Sequence, residues 1–370
     1  MRRLTVVQLL PALDAGGVER STLEIADALV RGGHRAIVVS ASGRLLPRLL
    51  EIGAEHVALD IGHKSPLTLR HVRALRALFR DVDADVVHAR SRLPAWLGRW
   101  ALRGMRGPRP RFVTTAHGLN SPSRYSAIMT RGERVICVSR TVRDYVLAQY
   151  PATDPARLVV IPRGIDPTDF AHVPHPDREA RSRIADLYPQ LAGGGPLLLL
   201  PGRGTRLKGH ADAIVLLARL RASGVDARLW MPGVVQAGRE DYFVELEAMA
   251  GEAGIEDAVA MTGPTSAIAE AYAASDLVLQ LSRKPEAFGR TVIESLSVGR
   301  PVLGWAHGGV GELLRELQPT GAVAPFDGDA LLRTARALLA QPPDPPATMP
   351  YTLQAMQEAT LAQYQSLVEA

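Results

Sequence analysis

The segment KPEAFGRTVIESLSVGRPVLG contains two glutamates, Glu286 and Glu294, on either side of a Phe-Gly pair. Pro285 and Gly289 argue against one continuous helix between them. We therefore expect Glu286 on the loop after the strand LVLQLS and Glu294 in the first turns of the helix RTVIESLSVG. Eight helical residues span ~12 Å, which suits carboxylates that accept hydrogen bonds from the two ends of a sugar nucleotide. Amides near Phe288 would then meet its phosphates. A solvated helix face is the alternative.

A second group of candidates lies on the loop GRGTRLKGH, which follows the strand LLLLPG. Arg203 and Lys208 are placed there at the carboxyl end of a strand, where doubly wound sheets bind ligands. A guanidinium fork and an ammonium beside a helix N-terminus suit a diphosphate. The segment does not have the pattern of a P-loop. Two solvated loop cations are the alternative.

Two adjacent glycines separate the first strand from the first helix. In LPALDAGGVERS, Gly16 and Gly17 would let the backbone approach a ligand closely, and the helix N-terminus would offer amides to an anion. They are therefore candidates for ligand binding, and the sugar nucleotide considered for Glu286 and Glu294 is the ligand expected there. A plain strand-to-helix turn is the alternative.

The segment from Arg90 to Arg111 contains seven arginines and no acidic residue. Trp96 and Trp100 are four residues apart and share one face of a helix. Basic residues beside tryptophans suit an anionic membrane interface. The alternative is a helix that buries its tryptophans against a sheet and exposes its arginines. The sequence has no RNA-binding signature such as RNP1, so nucleic acid is not an expected partner.

Short apolar strands alternate with helical stretches along the whole chain, which is the rhythm of doubly wound parallel sheets. In the first half, strands are expected at RLTVVQLLP, HRAIVVS, ADVVHA, RFVTTAHG, RVICVS and RLVVIPRG. In the second half they are expected at LLLLPG, ARLWMPG, AVAMTG, LVLQLS, PVLGWA and GAVAPF.

The alternation breaks between Asp166 and Pro196, where Pro, Gly, Asp and His are frequent, and we place the connection between two domains there. The predicted fold class is α/β, with two doubly wound, Rossmann-like domains that face each other across a cleft. The N-terminal domain would comprise residues 1–166 and the C-terminal domain residues 167–350. A last helix at about 351–370 is expected to pack back on the first domain.

The chain of 370 residues is 46% hydrophobic and 22% charged, an ordinary globular composition whose length fits two domains. Its net charge of +5 is unevenly divided. Residues 1–166 carry 26 Lys and Arg against 14 Asp and Glu, whereas residues 167–370 carry 17 against 24. This polarity predicts that the first half meets something anionic. No apolar run reaches the ~18 residues of a spanning helix, and we expect a cytoplasmic protein, either soluble or peripheral on the inner membrane face.

Two further features of the sequence bear on the cellular compartment and on metal binding. The single cysteine, Cys137, lies in the apolar run RVICVS and is expected to be a buried structural thiol, which fits a reducing compartment. Asp83 and Asp85 form a D-x-D pattern, but they precede a strand and so lie at its amino end, away from the ligand-binding edge. No metal site is therefore expected.

Six segments, in this order, resemble markers of the retaining glycosyltransferase family 4, which has the two-domain GT-B fold. They are GGVER, HGLN, VSRTV, VIPRGID, GRGTRLKGH and EAFGRTVIESLSVGRPVLGWAHGGVGE. The resemblance extends over nearly the whole chain and implies a nucleotide-sugar donor, retention of anomeric configuration, and no metal or other cofactor. It also implies that Arg203 and Lys208 hold the donor diphosphate, Glu294 the ribose and Glu286 the donor sugar.

The resemblance also implies roles for two residues of the first half. His117, which ends the strand RFVTTAHG, occupies the family position that approaches the donor sugar near the reacting carbon. A histidine satisfied by backbone is the alternative. Arg163, in IPRGID, replaces the asparagine that is commoner in the family and is a candidate contact for phosphate or acceptor, with a hinge ion pair as the alternative. The other histidines considered are expected to be structural: His34, His63, His88 and His210.

The resemblance thus predicts a metal-independent hexosyltransferase that uses a nucleotide-sugar donor, with UDP favoured. Its acceptor would be an anionic envelope glycan or glycolipid, with lipopolysaccharide core as the leading candidate. The first domain would lie on the acceptor side and the second would bind the donor. Alternatives are a sugar-nucleotide 2-epimerase of the same architecture and a non-catalytic nucleotide-sugar binder. The presence of Lys208, Glu286 and Glu294 argues for transfer.

Overall fold

The computed structural model describes residues 2–14 and 16–370, and the chain forms two compact units. The first unit comprises the residues up to Arg163 together with Leu353–Ala370, and the second comprises Gly164–Thr352. The chain therefore leaves the first unit once and returns to it at its last helix.

The first unit contains a seven-stranded sheet in the order β3-β2-β1-β4-β5-β6-β7, and every neighbouring pair is parallel. Its strands are β1 (Thr5–Leu9), β2 (Arg35–Ser40), β3 (Glu55–Ala58), β4 (Val86–Ala89), β5 (Arg111–Ala116), β6 (Arg134–Cys137) and β7 (Leu158–Val160). Its first helices are α1 (Gly17–Arg31), α2 (Leu46–Glu51), α3 (His71–Asp81), α4 (Arg92–Arg103) and α5 (Arg140–Gln149). The chain order reverses between β1 and β4, so the carboxyl ends of these strands flank the place where such sheets bind ligands.

The second unit contains a six-stranded parallel sheet in the order β10-β9-β8-β11-β12-β13. Its strands are β8 (Leu197–Leu199), β9 (Arg228–Pro232), β10 (Val259–Thr262), β11 (Leu277–Gln280), β12 (Val302–Trp305) and β13 (Ala322–Val323). Its helices are α6 (Arg178–Leu187), α7 (His210–Ala222), α8 (Glu240–Glu252), α9 (Ile268–Ala274), α10 (Arg290–Val298), α11 (Gly308–Leu317) and α12 (Gly328–Ala340). Here the order reverses between β8 and β11.

The last helix, α13 (Leu353–Glu369), packs against α1 in the first unit. Met356, Tyr364 and Leu367 are buried there, in the same apolar cluster as residues of β1 and β2. A second apolar cluster covers the other face of this sheet, under α3 and α4. Both faces of the sheet are therefore covered, as parallel sheets require.

The fold class expected from the sequence is confirmed, and each expected strand is present in a parallel sheet. Two elements escaped the sequence analysis. Strand β3 contains polar residues, and its residues are exposed or only partly buried, so it lacks an apolar run. Helix α6 lies within the segment that was expected to connect the domains. Only Ala180 and Ile184 of its residues are buried, so the helix has no clear apolar stripe that would have predicted it. Among the described residues, no helix combines the length and apolar character needed to cross a membrane.

Candidate functional site

In the second unit, the loops that follow β8 and β11 bring Lys208 and Glu286 together. These two strands are paired neighbours, so their carboxyl ends open onto the same place. The Lys208 ammonium donates to Glu286 Oε1 at 2.5 Å. Gly209 makes this approach feasible, since its φ is +80° and a side chain there would collide with the carbonyl of Leu281. The lysine expected to bind the diphosphate and the glutamate expected to bind the donor sugar thus form one ion pair with each other.

The carboxylate of Glu286 is held on the loop by two further polar side chains. Ser282 donates its hydroxyl to the same carboxylate oxygen, and Gln280 Nε2 donates to the other at 3.4 Å. The loop itself is fixed from the start of α11, where His307 Nε2 donates to the Ser282 carbonyl at 2.8 Å and the Gly309 amide donates to the Glu286 carbonyl at 2.7 Å. The sequence analysis did not single out Gln280, Ser282 or His307 as site residues, although His307 lies within the last of the six marker segments.

Glu294 lies in α10, in the first turns of the helix as expected, and is only 7% exposed. Tyr272, which is itself buried on α9, donates its hydroxyl to Glu294 Oε2 at 3.0 Å. The alternative of a solvated helix face is therefore wrong for this residue. No sequence signal distinguished Tyr272 from any other aromatic residue of a helix.

Gly289 precedes α10 with a φ of +116°, a conformation that favours glycine. A Cβ there would lie 2.9 Å from Val310 Cγ2, so the position also requires a small residue. A glycine offers no side-chain acceptor to the first-turn amides of the helix. The neighbouring Phe288 is buried, and its ring meets that of Tyr351 edge-on at 5.8 Å between centroids. Phe288 can therefore offer its backbone to a ligand while its ring anchors the turn.

Arg203 is exposed, and its side chain makes no hydrogen bond or ion pair within the described part of the chain. Arg206, on the same loop, differs because it pairs with Glu245 on α8 and stacks over the Tyr242 ring. The loop thus offers one uncommitted guanidinium beside the Lys208–Glu286 pair, which is an arrangement that can receive an anion.

In the first unit, His117 follows β5 and Arg163 follows β7, and the two side chains meet. Arg163 Nη2 donates to His117 Nδ1 at 2.6 Å. The other ring nitrogen, Nε2, is shielded from solvent and has no hydrogen-bond partner among the described residues. Burial lowers the pKa of His117 well below its usual range, and the Arg163 and Arg90 cations lower it further. The alternative of a histidine satisfied by backbone is wrong, because its partner is a side chain.

A buried polar network lies near the carboxyl ends of β1 and β4, which are paired strands in the middle of the same sheet. Arg90 is only 2% exposed and donates to Gln8 Oε1 at 2.8 Å and to Ser21 Oγ at 3.0 Å. His88 lies between the Tyr364 and Thr115 hydroxyls, at 2.6 Å from each. Burial lowers the pKa of His88, so a neutral ring is expected. Arg90 therefore lies in the interior of the first unit. It is not part of the basic surface that the arginine-rich segment was expected to form.

The two glycines that open α1 differ in their surroundings. A Cβ on Gly16 would lie 2.5 Å from a carboxylate oxygen of Glu19, whereas one on Gly17 would meet nothing within 4 Å. Ala15, in the same segment, lies outside the described residues. Because the flexible Glu19 side chain can move aside, neither glycine is required by local packing, and the roles of both remain tied to the proposed ligand.

Helix α4 buries its small and aliphatic residues, namely Pro94, Ala95, Leu97, Gly98, Ala101 and Leu102. Trp100 is 36% exposed and stacks at 5.3 Å on Trp96, whose indole N–H donates to the Tyr125 carbonyl. Trp96 is partly buried and packs against the apolar cluster under α3 and α4, so the alternative of a helix that buries its tryptophans against the sheet applies to Trp96 but not to Trp100. The helix thus presents the exposed Trp100 beside arginines.

Within residues 2–14 and 16–370, no cluster of three His, Cys, Asp or Glu side chains is placed to hold a metal ion. The D-x-D carboxylate of Asp85 accepts hydrogen bonds from the Thr5 amide at 2.8 Å and from Arg2 at 2.6 Å, at the amino end of β4. Asp85 thus joins two neighbouring strands. Cys137 is buried, which raises the pKa of its thiol to about 12.

Two family models match the chain. Residues 15–169 match the model described as Glycosyltransferase Family 4, and residues 189–352 match the one described as Glycosyl transferases group 1. Together the two matches leave only a short internal segment and the chain ends uncovered.

Two curated relatives illustrate the range of similar proteins. A 2-deoxystreptamine glucosyltransferase of Streptomyces kanamyceticus is 28% identical over 50% of this chain, and the match spans 45% of that relative's length. A D-inositol 3-phosphate glycosyltransferase of Catenulispora acidiphila is 26% identical over 89% of this chain and 84% of its own.

Among solved structures, a glycosyltransferase from Rickettsia africae covers 100% of this chain and 99% of its own, with 26% identity and a TM-score of 0.87. HepE of Anabaena, solved with UDP and glucose, covers 98% of this chain and 100% of its own at 18% identity and a TM-score of 0.79. WaaG, a glycosyltransferase of lipopolysaccharide biosynthesis, covers 98% of each chain at 19% identity and a TM-score of 0.68. The two family matches show that the chain belongs to the family 4-like glycosyltransferases, and the solved structures show that it has the GT-B fold.

Proposed function

We propose that this glycosyltransferase transfers a hexose, with retention of configuration and without a metal ion, from a UDP-sugar to an anionic envelope glycan. The observation that carries the proposal is the meeting of Lys208 and Glu286 where the strand order of the second unit reverses. A cation for the diphosphate and a carboxylate for sugar hydroxyls stand there side by side. The UDP assignment is supported by HepE, a protein of the same fold that was solved with UDP and glucose.

In the proposed reaction, Lys208 and Arg203 neutralise the diphosphate as it departs, with the first-turn amides of α10 as further donors. Glu286 binds the hydroxyls of the donor sugar, and Glu294, held by Tyr272, binds the ribose. The acceptor hydroxyl attacks from the face that the phosphate leaves and gives its proton to that phosphate. Two cations thus supply the charge that a metal ion would otherwise provide.

The acceptor is assigned to the first unit, which holds most of the positive charge of the chain. Lipopolysaccharide core is our leading acceptor, since it is an anionic envelope glycan and since WaaG shares the fold. The relative named for D-inositol 3-phosphate is a similar protein whose name contains a phosphate-bearing compound.

A peripheral contact with acidic membrane is part of the proposal. Trp100 and the arginines of the segment from Arg90 to Arg111, other than the buried Arg90 and Arg111, which pairs with Glu133, supply aromatic and basic side chains for this contact. Three of these arginines, Arg103, Arg106 and Arg109, are called the basic triplet below. Each residue of the triplet is exposed or half-buried at the end of α4 or in the loop after it.

The test is a donor screen followed by product analysis. The purified protein is incubated with a panel of UDP- and GDP-sugars, first in thermal shift and then with lipopolysaccharide core oligosaccharides. We expect stabilisation by a UDP-hexose, and transfer that yields the α-anomer from an α-linked donor and is unchanged by EDTA. An inverted product would contradict retention, and activity lost to EDTA and restored by Mg²⁺ or Mn²⁺ would contradict metal independence.

The same screen separates the alternative enzymes. A sugar-nucleotide 2-epimerase would convert the donor without any acceptor, and a non-catalytic binder would be stabilised by the donor without turnover. Either result would overturn the proposed transfer.

A further inference from the structure

The contact between Arg163 and His117 determines which ring nitrogen of the histidine carries a proton. A guanidinium has only donors and stays charged in proteins. Since Arg163 Nη2 lies 2.6 Å from His117 Nδ1, that nitrogen must supply a lone pair. A neutral imidazole has one proton, which must then sit on Nε2. The contact therefore selects one of the two neutral forms of the ring.

The cations of Arg163 and Arg90 also disfavour the doubly protonated ring. Arg163 follows β7, Arg90 follows β4, and His88 lies on β4 itself, and all three lie close enough to affect His117. Helix α13 contributes Tyr364, whose pKa burial raises to about 12, so that it remains a neutral hydroxyl near pH 7. No group among these supplies a negative charge that would stabilise an imidazolium.

The N–H group at Nε2 has no hydrogen-bond acceptor among the described residues. Nε2 is also shielded from solvent. Buried donors are almost always paired, and an exception calls for an explanation such as a ligand that is absent from the structure. The first unit thus presents one prepared N–H donor beside the carboxyl end of β5.

We propose that Arg163 is a positioning residue that fixes His117 as an Nε2–H donor to an oxygen of a bound sugar or phosphate. In this role His117 accepts no proton during the reaction, because its only lone pair is occupied by the guanidinium. The inference about the ligand rests on the proposed function, whereas the inference about the proton position does not. An asparagine at position 163 would not impose this form, since its amide can both donate and accept.

The position of the proton is tested on the protein without substrate. Histidine-selective ¹⁵N labelling distinguishes protonated from unprotonated ring nitrogens by NMR, and comparison with His117→Gln assigns the signals. From pH 5.5 to 8.0 we expect His117 to keep an unprotonated Nδ1 and a protonated Nε2. In Arg163→Met the ring should titrate or shift to a mixture of forms, whereas Arg163→Lys, which keeps a cationic donor, should retain the Nε2–H form. A proton on Nδ1 of the wild type, or an imidazolium at pH 6, would overturn the inference.

The role of the donor is tested by kinetics on a functional donor and acceptor. The side-chain amide of a glutamine can take the place of Nε2, whereas that of an asparagine takes the place of Nδ1. His117→Gln should therefore retain at least tenfold more kcat than His117→Asn. A difference of about this size is expected for one hydrogen bond in a transition state. The pH profiles of wild type and His117→Gln should be parallel. If the acid limb of the wild-type profile disappears in His117→Gln, then His117 accepts a proton and the proposal fails.

These two experiments separate the failure of the inference from the failure of the proposed function. If no nucleotide sugar is turned over by the wild type, the proposed function fails, and the NMR spectrum still decides the position of the proton. If transfer occurs but the proton lies on Nδ1, the proposed function stands and the role of Arg163 is refuted.

Discussion

The ion pair between Lys208 and Glu286 predicts that a loss of negative charge at Glu286 strengthens diphosphate binding. Without ligand, the ammonium of Lys208 lies 2.5 Å from the carboxylate, and a diphosphate must compete for it. We choose Glu286→Gln because the amide removes the charge but can still accept the Ser282 hydroxyl. From the sequence alone, loss of Glu286 would leave the affinity for the free nucleoside diphosphate nearly unchanged, so the structure alters the expectation.

The magnitude follows from the exposure of the pair. Unit charges 2.5 Å apart attract by about 1.7 kcal/mol in water and by about 6.6 kcal/mol at an effective dielectric constant of ~20. Desolvation and side-chain ordering offset most of this, and partly exposed pairs contribute up to about 1 kcal/mol net. The Lys208 and Glu286 side chains are 29% and 23% exposed, so we take the upper end. Glu286→Gln should therefore bind free UDP about fivefold more tightly.

The assay is calorimetric titration of UDP into wild type and variant, followed by turnover with a UDP-sugar. Turnover should move in the opposite direction, with kcat lower by about 10²-fold, since the carboxylate would stabilise the charged sugar of the transition state. Glu245→Gln is the matched control, because it removes the acidic partner of Arg206 on the same loop. The control should change the UDP affinity less than twofold. If Glu286→Gln binds UDP no more tightly than wild type, the pair does not oppose diphosphate binding and the reasoning is refuted.

Three further predictions follow from the contacts. Tyr272→Phe should raise the donor KM about fivefold, and Glu294→Ala should raise it more, with kcat nearly unchanged, because both act on the unreacting ribose; an equal loss in kcat would contradict this. Burial lowers the pKa of His210 to about 4. As the pH falls below ~6.5, the histidine is protonated in the unfolded chain but not yet in the folded one, so the free energy of unfolding decreases. The decrease between pH 7.5 and pH 5 should be about 2 kcal/mol. Urea denaturation of His210→Gln should lack this part of the pH dependence, whereas the exposed-site control His63→Gln should retain it. Serine at all three positions of the basic triplet should weaken binding to liposomes of acidic lipid at low salt; equal binding to neutral liposomes would argue for a structural role.

Local signals in the sequence were sufficient to place several elements of the site. Pro285 and Gly289 separated Glu286 on a loop from Glu294 on a helix, and the structure agrees. Apolar runs bounded by glycines and prolines located the strands, because buried parallel strands are almost continuously apolar. Strand β3 was missed because a half-buried edge strand does not have that pattern.

The pairings of the site could not be derived from such signals. Lys208 and Glu286 are 78 residues apart, His117 and Arg163 are 46 apart, and His88 and Tyr364 are 276 apart. Each contact depends on which strands are neighbours, and an alternation of strands and helices does not specify that order. Likewise, the burial of Arg90 depends on Gln8 and Ser21 from other elements, so composition alone assigned it to the surface.

The return of α13 to the first unit has a consequence for the way this protein is made. Domains usually fold in the order in which they leave the ribosome. Here the sheet of the first unit is complete by Val160. Tyr364, which contacts His88 in that unit, is translated about 200 residues later. At ~5–20 residues per second this delay is roughly 10–40 s. The second unit can therefore be finished while the first still lacks a helix over its apolar face. A nascent chain stalled before Leu353 should accordingly present an exposed apolar surface to chaperones, and the emergence of α13 would be the event that completes the unit that was made first.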